Sequence, residues 1–174
     1  LKVNQKRKEE LIEEAKLLAN VESINELEVM VKKLQREFVN VGPSPREVYK
    51  ETGDQFFAIL RESQNKIQTH YDALQAEADQ NLSAKKTLIE KTKEILSMDF
   101  SQVNAWNKWT DEIIKLQEEW RTIGWTRKKD NEDTWLEFRG LCDAFFEKRK
   151  NYTRALTLQN VSRDVCQERA LSFL

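Results

Sequence analysis

Lys33-Leu34-Gln35-Arg36-Glu37-Phe38-Val39-Asn40-Val41-Gly42 and Lys115-Leu116-Gln117-Glu118-Glu119-Trp120-Arg121-Thr122-Ile123-Gly124 are two versions of one stretch, offset by 82 residues. Upstream, Leu11-Ile12-Glu13 answers to Leu88-Ile89-Glu90 at an offset of 77. The difference of five residues falls between the two blocks, in a short connection at 20–23 and a longer one at 97–104. Structural repeats tolerate length changes in loops. Self-similarity at a fixed offset marks a repeat architecture.

The apolar pattern supports the same division. Trp106, Trp109, Ile113, Leu116, Trp120 and Ile123 are spaced 3-4-3-4-3, and Ile24, Leu27, Val31, Leu34, Phe38 and Val41 repeat that spacing. Such a stripe occupies one face of a helix that buries against other helices. A following stripe runs through Trp135, Phe138, Cys142, Phe145, Arg149, Tyr152 and Leu156. Its counterparts are Gly53, Phe56, Leu60, Ser63, Ile67, His70 and Leu74. Two positions shrink, Trp135 to Gly53 and Phe145 to Ser63. Lost core volume costs several kcal/mol unless refilled, so the first copy is expected to be the looser one, with Tyr49 and Phe57 filling part of the space.

Each copy reads as three helices, at 3–19, 24–40 and from 45 onward, then at 84–96, 103–122 and from 127 onward. Ser23-Ile24-Asn25-Glu26 has the form of a capping box. Gly42 and Gly124 follow helix ends, where a left-handed residue stops a helix at little cost. Ser44-Pro45-Arg46-Glu47 places a serine cap before a proline at the first helical position. Thr126-Arg127-Lys128-Lys129 is its weaker counterpart. Between Asp54 and Ile123 there is neither Gly nor Pro. The third helix of copy one therefore runs on into the first helix of copy two, roughly 75–80 Å at ~1.5 Å per residue. A break near 80–83, with Ser83 as a new cap, is the competing reading. The expected fold is all-α: two tandem three-helix bundles, 1–81 and 82–156, joined by a long shared helix into an elongated rod. A helical tail at 157–174 would begin a further repeat.

Composition removes other classes. The 174 residues include 4 Gly and 2 Pro, too few for hairpin-rich β structure or a glycine-rich nucleotide loop. No apolar run of about 18 residues is present, so no membrane partner is expected. A net charge of −1 gives no bulk attraction to nucleic acid or anionic lipid. Cys142 and Cys166 are no disulfide framework and fit a reducing cytoplasm. Leu1 already lies within a charged helical pattern, so we read the chain as a piece of a longer protein.

The string Trp109…Glu119-Trp120…Ile123-Gly124…Trp135-x-x-Phe138-Arg139…Phe145-Phe146 resembles domain of unknown function 349, a bacterial family of short three-helix domains in tandem copies. The resemblance covers both copies. The second keeps the aromatic pattern but has Trp125 and Arg127 where a proline would follow the glycine. The first keeps Phe38, Gly42, Pro45-Arg46 and Phe56, and departs at Gly53 and Ser63. The resemblance implies a fold, a cytoplasmic setting and modular use. It implies no catalytic residues.

A search for chemistry ends in the same place. His70, the only histidine, falls on a stripe and reads as a half-buried packing residue. Cys142 lies where copy one has Leu60 and reads as a small hydrophobe, and Cys166 as an incidental thiol. Two cysteines and a histidine so dispersed lack zinc spacing. Glu9, Glu10, Glu13 and Glu14 read as a solvated face. Glu37 and Glu119 recur, and each is expected to pair with a cation on the following helix, such as Arg139. We therefore assign no catalytic, cofactor-binding or metal-ligating residue. The expectation is a non-enzymatic scaffold that binds protein partners; nucleic-acid binding through basic loops is the alternative. The candidate contact surface is the loop after Gly124. It places off-stripe Trp125 beside Arg127, Lys128 and Lys129, with Arg121 one turn before. Cations at a helix N-terminus are disfavoured by the dipole unless an acidic group relieves them.

Overall fold

The computed structural model describes residues 1–172; the last two positions of the expected tail lie outside the described residues. It is all helical, with no strand among the described residues. The elements are α1 (Lys2–Lys16), a 3₁₀ turn (Leu17–Asn20), α2 (Ile24–Asn40), α3 (Arg46–Leu96), α4 (Val103–Thr122) and α5 (Lys128–Leu171). Two compact units are present, Leu1–Ala76 and Glu77–Leu174, and the division between them falls within α3.

In unit 1 the core comprises Leu11, Ile12, Ala15 and Leu18 with Leu27, Val31, Leu34 and Phe38 from α2 and Phe56 and Leu60 from α3. The α2 stripe thus faces inward, with Ile24 and Val41 half-buried at its ends. Phe38 and Phe56 stack with centroids 3.9 Å apart. Ser23 Oγ accepts a hydrogen bond from the Glu26 N–H at 3.4 Å, one half of the capping box. Gly42 has φ +87°, the left-handed stop that glycine adopts without strain.

In unit 2 the core comprises Leu88, Ile89 and Ile95 from α3, Trp106, Ile113, Leu116 and Trp120 from α4, and Phe138, Cys142 and Phe145 from α5, with Phe100 from the connection. Trp120 stacks on Phe138 at 4.3 Å, the counterpart of Phe38 on Phe56. The helix α3 passes through 80–83 without interruption, so the competing break is absent.

Several local expectations are corrected. Gly124 has no positive φ; α4 ends because Ile123 is extended at φ −73°, ψ 128°. Ser44 does not cap α3. Its hydroxyl is buried without a partner, and Pro45 takes the capping position, its carbonyl accepting from Tyr49 N–H at 3.0 Å. Trp135 is 44% exposed rather than core, lying near the start of α5 with its ring 6.0 Å from Trp120. His70 is exposed, because unit 1 offers nothing to cover it. Its counterpart Tyr152 rests on Trp106 at 5.5 Å. The longer connection in unit 2 is not only loop: it supplies Phe100, buried and stacked 4.2 Å from Trp106.

Candidate functional site

The loop after α4 is held at both ends. The Asn81 side-chain amide donates to the Trp125 carbonyl at 2.7 Å, and Arg127 reaches Asp79 at 3.0 Å. Glycine at 124 lets the amide approach closely: a Cβ there would lie 3.0 Å from Asn81 Nδ2. On this fixed backbone Trp125 is 60% exposed. Arg127, Lys128, Lys129 and Arg121 are also exposed. The cations are less isolated than the sequence implied. Arg127 is shared between Asp79 and, at 3.7 Å, Asp130, and Lys128 lies 4.0 Å from Glu132. Asp130 and Glu132, in the first turns of α5, supply the acidic groups that the dipole favours there.

Behind this loop is a framework that the sequence comparison missed. Asn4 Nδ2 donates to the Pro43 carbonyl at 2.9 Å, which is the Asn81–Trp125 bond in the first copy. Four residues on, Lys8 and Lys85 are both buried, 5% and 4% exposed, and each ammonium lies over the equivalent aromatic ring. Lys8 Nζ is 5.0 Å from the Phe38 centroid, and Lys85 Nζ is 5.4 Å from that of Trp120. Burial lowers the pKa of Lys85 below the ordinary 10.5. The signal was in the sequence: Asn4-x3-Lys8-x2-Leu11-Ile12-Glu13 repeats as Asn81-x3-Lys85-x2-Leu88-Ile89-Glu90. Ser44 and Thr126 form a further equivalent pair, both buried with hydroxyls that have no partner.

The two copies differ around the buried lysine. Lys85 donates to Asn131 Oδ1 at 2.7 Å. In unit 1 the residue equivalent to Asn131 is Tyr49, whose ring centroid lies 5.4 Å from Lys8 Nζ. Gly53 stands where unit 2 has Trp135, and nothing lies within 4 Å of a Cβ built on it. The result is an open groove of about 540 Å³ lined by Lys8, Phe38, Tyr49, Gly53, Asp54 and Phe57 among others. Beside Trp120, where Trp135 forms one wall, there is a smaller cavity of about 140 Å³, lined also by Phe138, Arg139 and Cys142 and not by Lys85. Phe57 packs edge-on against Phe38, with centroids 5.7 Å apart, and fills part of the space left by glycine; with Tyr49 it borders the groove that remains.

The match to known families covers residues 1–47 and 51–129, described as Domain of Unknown Function (DUF349). The chain belongs to the DUF349 family. The two matched segments end at Glu47 and Lys129, equivalent positions just inside α3 and α5. No curated protein and no solved structure matches the chain.

Burial raises the Cys142 thiol to about 11, so it holds its proton at neutral pH. His70 is exposed, its ring 5.7 Å from Tyr71. Glu37 pairs with Arg7 on the preceding helix, at 3.1 Å, not with the following one. Arg139 lies 3.8 Å from Asp143 on its own helix and leaves Glu119 aside. Among the described residues no group of three or more His, Cys, Asp or Glu is placed to hold a metal, and no helix is long and apolar enough to cross a membrane.

Proposed function

We propose that this DUF349 chain is a non-enzymatic helical scaffold of the cytoplasm that binds protein partners. Its contact surface in unit 2 is Trp125 with Arg127, Lys128, Lys129 and Arg121. The observation that carries this reading is the presentation of Trp125: the ring is 60% exposed while its backbone is tied to Asn81 and the next cation to Asp79. An aromatic anchor on a fixed loop loses little conformational freedom on binding. Trp and Arg are the residue types that dominate interface energetics. Asp79, Asp130 and Glu132 weaken the basic footprint that nucleic acid would require. The free thiols at Cys142 and Cys166 fit a reducing compartment.

The test is a photo-crosslinking residue at position 122, exposed beside the loop, in the cell of origin. Discrete protein adducts are expected. They should be lost when Arg127, Lys128 and Lys129 are replaced by Glu, and Trp125→Ala should weaken the captured partner about thirtyfold, the effect of a ~2 kcal/mol hot spot. Adducts confined to nucleic acid, or a partner retained with unchanged affinity by the combined variant, would overturn the reading.

A further inference from the structure

Lys8 is a buried cation without an acceptor. It is 5% exposed, lines the open groove of unit 1, and makes no hydrogen bond or ion pair among the described residues. Its ammonium lies over the faces of Phe38 and Tyr49. Buried charges in folded proteins are paired, and Lys85, at the same position of the other copy, has its acceptor in Asn131 Oδ1. Unit 1 thus lacks two groups that unit 2 supplies from its own chain: an acceptor for the lysine and an indole beside the α2 aromatic. Both deficits open on the same groove, since Lys8 and Gly53 line it together.

We propose that the groove beside Gly53 binds a small aromatic carboxylate, a planar ring of indole or phenyl size bearing one carboxyl group. The ring takes the space that Trp135 fills in unit 2, against Phe38 and Phe57. The carboxylate accepts from the Lys8 ammonium, as Asn131 does from Lys85. A volume of about 540 Å³ lies within the ~300–1,000 Å³ range of small-molecule sites, which are mostly apolar with few polar groups. The charge selects a monoanion. Lys8, which is buried, and Lys50 line the groove together with Asp54; the one net positive charge is balanced by a monoanion, and a phosphate dianion would bring an excess of negative charge. The site is separate from the Trp125 loop, and its test does not depend on that surface.

The experiment is calorimetric titration of the full chain with indole-3-propionate and with its neutral isostere indole-3-propionamide. Saturable binding of the propionate is expected, about tenfold tighter than the amide. Lys8→Met should bring the two ligands level. Gly53→Trp should abolish binding of both by refilling the groove. That variant places the side chain in open space on a helix and removes a helical glycine, so its melting temperature should equal or exceed that of the parent. If Lys8→Met does not fold, the comparison of the two ligands and the Gly53→Trp variant still decide. No saturation by propionate up to about 10 mM, equal affinity for acid and amide in the parent chain, or undiminished binding in Gly53→Trp would each overturn the proposal.

Discussion

Lys8 and Lys85 occupy one position of the repeat, and the surroundings of each are legible only once both copies are seen. A lysine reads in sequence as a solvated residue; burial of both follows from the aromatic plate beneath each and the short polar reach of the neighbouring elements. The depressed pKa of Lys85 has a pH consequence. Between the folded value and 10.5 the unfolded chain binds a proton that the folded chain has released. Stability contributed by this group therefore rises with pH across that window. The urea midpoint of the parent, relative to that of Lys85→Met, should climb as pH approaches 10.5; a constant difference would mean that Lys85 titrates normally in the fold. Cys142 acts in the opposite sense. Raised to about 11 from 9.0, it favours the folded thiol, and its contribution is lost as pH rises from 9.0 through about 11. Thiol titration of the native chain near neutral pH should show one fast thiol, exposed Cys166, and one that reacts on unfolding, Cys142. Two fast thiols would show that the α5 stripe is open.

At the scale of the element, α2 and α4 begin and end where their stripes place them, at Ile24–Asn40 and Val103–Thr122. Six stripe positions in each face the core or its edge, because a 3-4 spacing can be satisfied only by a helix against helices. The same periodicity over-reaches where an element outruns its neighbours. Trp135 and His70 keep the spacing, but Trp135 is covered only in part, by Trp120 at the start of α5, and His70 lies exposed beyond the end of the unit 1 core. Periodicity reports which face a residue is on and is silent on how far the opposing helices extend. The connection at 97–104 illustrates the converse, since a buried aromatic in a non-periodic segment leaves no pattern. Phe100 lies between Trp106 and Phe145, at 4.2 and 5.8 Å, with Lys148 Nζ 4.8 Å from its ring. Phe100→Ala should cost unit 2 about 3–5 kcal/mol, the usual loss for a buried phenylalanine. A change within about 0.5 kcal/mol, the range of surface substitutions, would return the connection to the status of a passive loop.

For the whole molecule the central claim is that one packing plan is used twice, with its own core in each unit: Phe38 on Phe56 beneath Lys8, and Trp120 on Phe138 beneath Lys85. All five tryptophans belong to unit 2, so indole fluorescence reports that unit alone, whereas far-ultraviolet dichroism reports both. Phe38→Ala removes the unit 1 plate and should destabilise that core by about 3–5 kcal/mol. The measurement is urea unfolding of this variant followed by both signals. The account predicts an early dichroism phase from unit 1, with the fluorescence midpoint unchanged from the parent. Displacement of both signals together by the same amount would contradict it, because a single shared core would then carry both copies.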